Sequence, residues 1–132
     1  MYIIMNLDKS TEFIELINKA KENKNVLAVV LFGSYANKRE KMNSDIDVCI
    51  FKKDINQIEG FEDLFGYDNV DLVFFSNLSQ VLKFKIFTEG KILYIDEEYE
   101  QDFYKLRRKF VRSYIDFEPA RQRQWRRVLA NV

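Results

Sequence analysis

One stretch of this sequence restricts its fold more than any other. The apolar run Val26-Leu27-Ala28-Val29-Val30-Leu31-Phe32 stops abruptly at Gly33-Ser34, and ten residues later comes the alternating segment Ser44-Asp45-Ile46-Asp47-Val48. A continuous apolar run of this length, rich in valine, predicts a strand covered on both faces. Gly33 lacks a Cβ, so the chain can turn sharply there and let an anion approach the backbone. Ser34 falls where a helix would begin, with an N–H and a hydroxyl both able to donate to phosphate oxygens. Asp45 and Asp47 stand two apart on a second strand and so project from one face, leaving Ile46, Val48 and Ile50 on the other. Two carboxylates facing a phosphate cradle suit Mg²⁺ and a nucleoside triphosphate.

Composition narrows the chemistry. The chain has 132 residues, 47% of them hydrophobic and 15% aromatic, which predicts one folded domain with a single core. No apolar run approaches the ~20 residues of a membrane span, and no signal sequence opens the chain, so no membrane role is expected. There is no histidine, and Cys49 is the only cysteine. That removes Ser-His-Asp and Cys-His catalysis, ordinary structural zinc and any internal disulfide, and it fits a reducing cytoplasm. Cys49 reads as a small core residue beside the carboxylates rather than a nucleophile. Carboxylate, hydroxyl, lysine and arginine remain, a set suited to Mg²⁺-assisted nucleotidyl or phosphoryl transfer. The formal net charge of zero conceals a gradient: residues 54–104 carry twelve acids against three bases, and residues 105–132 nine bases against two acids. The middle of the chain is excluded as a nucleic-acid surface, while the tail suits an acidic partner, a nucleotide or RNA.

Taken in order, residues 1–9 read as a lead-in to a first helix capped by Asp8 or Ser10, with Phe13, Leu16, Ile17 and Ala20 as its apolar stripe. The polar run Lys21–Asn25 ends it. Val26–Phe32 is the first strand, residues 34–44 a short helix and polar loop, and Asp45–Phe51 the second strand. Ile58, Phe61, Leu64 and Phe65 suggest one or two helical turns before a third strand, Val70–Phe75. Asn77 and Gln80 read as a capping box opening a helix through about Thr88, which Gly90 ends. Lys91–Ile95 reads as a short edge strand, and a long helix from about Glu97 carries the stripe Tyr99, Phe103, Leu106, Phe110 and Tyr114. Pro119 marks a break, after which Trp125, Val128 and Leu129 suit a last short helix. The pattern is α/β (α+β), a small mixed β-sheet flanked by helices with a helical C-terminal region at about 97–132 after a core at about 10–95.

The pairing of Gly33-Ser34 with Asp45-x-Asp47, followed by Asp71 in the apolar segment Val70-Asp71-Leu72-Val73-Phe74-Phe75, resembles the signature of the polymerase-β-type nucleotidyltransferases. The likeness is strongest to their smallest members, the minimal nucleotidyltransferase (MNT) antitoxins that accompany HEPN toxins. It continues through Gly90-Lys91-Ile92-Leu93-Tyr94 and Tyr114-Ile115-Asp116-Phe117, so it spans nearly the whole chain. The resemblance implies a nucleotidyltransferase fold over residues 1–132. It implies two Mg²⁺ ions held by Asp45, Asp47 and Asp71, ATP as donor with its phosphates on Gly33 and Ser34, and transfer of AMP to a tyrosine of a HEPN ribonuclease toxin.

Lys38 and Arg39 are placed to contact the triphosphate, against the plainer reading of a solvated basic loop. Lys83 and Lys85 read as a solvated helix face, Tyr35 as packing beside the glycine turn, and the stripe Tyr99–Tyr114 as core rather than a base-stacking platform. The basic segments Arg107-Arg108-Lys109 and Arg121–Arg127 read first as solvated surface, then as a docking surface, and last as a nucleic-acid site, since no aromatic RNA-recognition motif accompanies them. Two alternatives to protein AMP transfer stand beside it: a nucleotidyltransferase acting on a small molecule such as an aminoglycoside, and an antitoxin that neutralises by contact alone.

Overall fold

The computed structural model describes residues 7–33, 46–67 and 70–117, together with 123, 126 and 127. Helix α1 spans Leu7–Glu22, strands β1 Val26–Phe32, β2 Ile46–Lys52 and β3 Val70–Phe74, helix α2 Gln80–Glu89, strand β4 Lys91–Ile95 and helix α3 Glu100–Phe117. The strands form one sheet in the order β3-β2-β1-β4. β1 runs antiparallel to β2 and β4, whereas β2 and β3 are parallel. The mixed sheet expected from sequence is therefore present, with β4 at one edge.

Strand alternation divides the core in two. Ile46, Val48 and Ile50 of β2 join Val29 and Leu31 of β1 beneath Phe13, Leu16 and Ala20 of α1, and all of these are buried. On the opposite face Ala28, Val30, Cys49 and Phe51 pack against Ile86 and Phe87 of α2 and Phe103 of α3. This second layer is aromatic: Phe51 stacks on Phe75 with ring centroids 4.2 Å apart and meets Phe103 edge-on at 5.0 Å. Phe84 stacks on Tyr114 at 4.3 Å, which ties α2 to the far half of α3. Of the expected stripe, Phe103 is buried and Phe110 packs against the aromatic layer, whereas Leu106 is 46% exposed and Tyr99 precedes α3 in a 3₁₀ turn, Glu97–Tyr99, so the helix starts at Glu100 and not at Glu97.

Several local expectations are corrected. α1 begins at Leu7, so Asp8 and Ser10 lie inside the helix rather than capping it. Residues 7–10 contain no glycine or proline to keep the helix from starting at Leu7. The cap of α2 is Ser79, whose hydroxyl accepts from Leu82 N at 3.3 Å. Asn77 is consumed by a 3₁₀ turn, Phe75–Asn77, that lets the chain leave β3, so β3 ends at Phe74. Gly90 follows α2 as expected, but not in a left-handed conformation, its φ being −72°. A Cβ there would lie 2.5 Å from both Ile86 O and Val30 Cγ1, so close packing of helix on sheet requires the glycine. Of the apolar residues between β2 and β3, Phe61 and Leu64 are buried around a single 3₁₀ turn, Glu62–Leu64, while Ile58 is 83% exposed. The lead-in before Leu7, the helix and loop at 34–44, Pro119 and the anchors Trp125, Val128 and Leu129 lie outside the described residues. Among the described residues no helix is long and apolar enough to cross a membrane.

Candidate active site

β2 and β3 are in register with Asp47 directly opposite Asp71. Paired residues on parallel neighbours point to the same face, and adjacent strands lie about 4.8 Å apart, so the two carboxylates stand side by side. β1 and β2 are in register with Phe32 opposite Asp47, which brings the residue after Phe32 to the same corner of the sheet. That residue is Gly33, with φ +79°, a conformation that favours glycine. A Cβ added to Gly33 would overlap Asp47 Oδ2 and lie 3.2 Å from its Cγ. The glycine turn and the carboxylate predicted from sequence are therefore in contact, and the absent Cβ is what admits the carboxylate.

Asp47 is half-buried and Asp71 exposed. Like charges facing one another across a strand pair oppose folding, an arrangement a bound cation reverses. Two positions along β2 from Asp47, on the same face, Cys49 is fully buried, and burial drives its thiol far above the usual range. It stays protonated and serves as packing, as expected. Val73, two positions from Asp71, packs against the same aromatic core. The carboxylates thus stand at the rim of a dry, interlocked layer that fixes the strands carrying them.

The remaining candidates divide in two groups. Ser34, Lys38, Arg39 and Asp45, like Tyr35, lie outside the described residues. Lys83 is half-buried with its ammonium 5.3 Å from the Phe75 ring centroid, while Lys85 is exposed. Lys91 opens β4 at the same end of the sheet, but its pairing with Leu31 sets it on the α1 face, opposite that of Asp47 and Asp71. Among the described residues no three Asp, Glu, His or Cys side chains gather as a metal set. Asp47 and Asp71 nevertheless supply hard oxygen donors of the kind that could hold Mg²⁺, beside the Gly33 turn.

Known proteins share this fold. The family model described as polymerase beta, nucleotidyltransferase matches residues 15–99, a span that includes Gly33, Asp47 and Asp71. A protein of Methanocaldococcus jannaschii assigned as a protein adenylyltransferase (MJ1547) is 32% identical over 84 residues, covering 63% of this chain and 68% of that protein. A chain in the crystal structure of a toxin-antitoxin with AMP-PNP superposes with a TM-score of 0.64 at 26% identity, covering 95% of this chain and 99% of the other. The structure of a tri-AMPylated Shewanella oneidensis HEPN toxin in complex with MNT antitoxin holds a chain of the same fold, with a TM-score of 0.60 at 24% identity and coverage of 95% and 99%.

Proposed function

This chain belongs to the polymerase-β nucleotidyltransferase family, and from that premise we propose that it is a Mg²⁺-dependent protein adenylyltransferase that acts in the cytoplasm as the antitoxin of a toxin-antitoxin pair. Its donor is ATP and its acceptor a hydroxyl, that of a tyrosine, on a HEPN-type toxin. The observation that carries this reading is the in-register pair Asp47–Asp71 beside the Gly33 turn. Support for the donor comes from the toxin-antitoxin relative, which was crystallised with AMP-PNP. Support for a protein acceptor comes from MJ1547 and from the AMPylated toxin found beside an MNT antitoxin of the same fold.

In this mechanism Asp45, Asp47 and Asp71 would hold two Mg²⁺ ions, which would supply positive charge to offset that developing on the entering and leaving oxygens. Gly33 and Ser34 receive the β- and γ-phosphates on backbone N–H groups, with Lys38 and Arg39 adding positive charge nearby. Asp71 orients the acceptor hydroxyl and takes up its proton as the oxygen attacks the α-phosphorus in line. The new O–P bond forms, the bond from the α-phosphorus to its bridging oxygen breaks, and pyrophosphate leaves. The rim position of Asp71, exposed next to half-buried Asp47, suits a group that must meet a second macromolecule.

The test is intact-mass spectrometry of a HEPN-type toxin, after incubation with this protein, Mg²⁺ and ATP. The reading predicts a gain in whole AMP units on a tyrosine, lost when Asp45 and Asp47 are both changed to Asn. Tight binding without a mass change would replace transfer with neutralisation by contact. Neither binding nor mass change would redirect the activity to a small-molecule acceptor.

A further inference from the structure

A second feature lies apart from the carboxylates. Between the end of α2 and the middle of α3 the surface folds inward into a cleft of about 630 Å³, which Gly33, Asp47 and Asp71 do not line. Lys105, Arg108, Lys109 and Arg112 line it from α3, at spacings of three, four and seven residues that place them on one helix face. All four are exposed. Arg107 completes the basic wall, its guanidinium 4.9 Å from the Tyr104 ring centroid. The ion pairs among the described residues are Lys19–Glu15 and Lys53–Asp96, and neither involves these bases.

This arrangement is unfavourable for the helix alone. Like charges three and four residues apart each destabilise a helix by a few tenths of a kcal/mol, roughly. The acids of α3 stand on either side of this stripe, Glu100 and Asp102 before it and Asp116 after it, and none falls within it. The cleft also has an apolar side, formed by Phe87 and Val111. Three arginines around such a floor fit a ligand with phosphate oxygens at one end and a flat or apolar body at the other, because the guanidinium fork matches phosphate in two-point contacts. The volume falls in the range of small-molecule sites, roughly 300–1,000 Å³.

We propose that this cleft is a second binding site, for a phosphorylated small molecule of nucleotide size.

The experiment is calorimetric titration of the full-length chain with AMP and with inorganic triphosphate in the presence of EDTA, so that no divalent cation occupies the carboxylates. Binding of AMP to the wild type is expected to persist in the Asp47→Asn, Asp71→Asn chain. It is expected to weaken at least about tenfold in the Arg108→Glu, Arg112→Glu chain, whose substituted positions are exposed and whose circular dichroism checks the fold. Arg108→Gln with Arg112→Gln serves if the reversal of charge disturbs folding. Absence of AMP binding to wild type overturns the proposal, as does binding that survives the arginine substitutions or disappears with the aspartates. Tighter binding of a short RNA than of AMP would make the cleft a nucleic-acid site, and equal competition by polyglutamate would make it a docking site for an acidic polypeptide; either result overturns the small-molecule assignment. Because the aspartate variant separates the sites, failure here leaves the transfer reading intact, and failure of transfer leaves this one intact.

Discussion

The two ends of the sheet use the same residue types in opposite ways. At the end where β1 stops and β2 and β3 begin, Asp47 and Asp71 face the same way across adjacent strands, beside a glycine whose missing Cβ makes room for one of them. At the other end the polar groups satisfy one another. Asp54 N donates to Asn25 Oδ1 at 2.7 Å, Lys53 N donates to Asn25 O at 2.8 Å, and Asp96 accepts from Lys53 Nζ at 2.6 Å and from Glu98 N at 3.0 Å. Asp96 N donates to Leu27 O at 2.9 Å, which locks the turn after β4 onto β1. Acids at this end are neutralised locally and contribute to the fold. At the carboxylate end two acids stand side by side on adjacent strands, an arrangement that suits a seat for cations. Like charges side by side at one end, next to oppositely charged partners at the other, mark where the sheet serves function rather than stability alone.

The largest effect that would sharpen this contrast is on transfer. Asp47→Asn is expected to lower the rate of AMP transfer on the order of a thousandfold, by weakening the hold on the Mg²⁺ that offsets charge at the reacting phosphate. The same change keeps the shape of the side chain and removes one of two like charges, so the thermal midpoint should change little. A chain that loses stability and transfer together would show that Asp47 supports the fold, and the contrast between the ends would fail. Next comes Gly33→Ala. A side chain at φ +79° costs about 1–2 kcal/mol, and the added methyl must displace the Asp47 carboxylate. Misplacement of a reacting group by about 1 Å costs roughly a hundredfold, so transfer should fall further than the stability loss alone explains. Single-turnover rates measured well below the melting temperature separate the two contributions.

At the other end the expected effects are smaller and fall on stability alone. Asn25→Ala removes the bond from Asp54 N and a longer one to Asp54 O at 3.4 Å. The site is exposed, so water replaces part of what is lost, and about 1–2 kcal/mol in chemical denaturation is expected, with transfer unchanged. A loss of transfer in this variant would mean that the two ends are coupled through the strands.

How much of this was legible beforehand follows from how local each signal is. β1 is visible because seven apolar residues end at a glycine, and its bounds agree with the reading from sequence. The alternation around Asp47 separates its face from that of Ile46, Val48 and Ile50, and the core divides along that line. Helix starts were less legible. Asp8, Ser10, Asn77 and Ser79 are all competent caps, and which one acts depends on where the preceding chain must turn. The register that sets Asp47 opposite Asp71 has no local trace, because it depends on parallel pairing across the whole connection from Lys52 to Val70. The basic cleft is half legible: the charges of α3 can be counted in the sequence, but the wall formed by Phe87 and Thr88 exists only once α2 packs beside them.

The smallest effect tests the neutralised acid itself. The carboxyl of Asp96 is held below the usual carboxylate range, first by the hydrogen bond from Lys53 and then by the N–H of Glu98, and Lys53 is raised above the usual ammonium range by the same bond to Asp96. A lowered carboxylate contributes stability that is present above its unfolded value and lost as pH falls through its folded value. A raised ammonium contributes stability that is present below its unfolded value and lost as pH rises through its folded value. The pair therefore supports a plateau across neutral pH that declines at both extremes. Asp96→Asn should lower that plateau slightly and flatten both limbs in thermal midpoints recorded from acid to alkaline pH. It should leave the pH profile of transfer unchanged, since this acid stands at the far end of the strands from Asp47 and Asp71. A shift in that profile would show that charge at the satisfied end reaches the carboxylates, and the division of labour between the two ends would have to be abandoned.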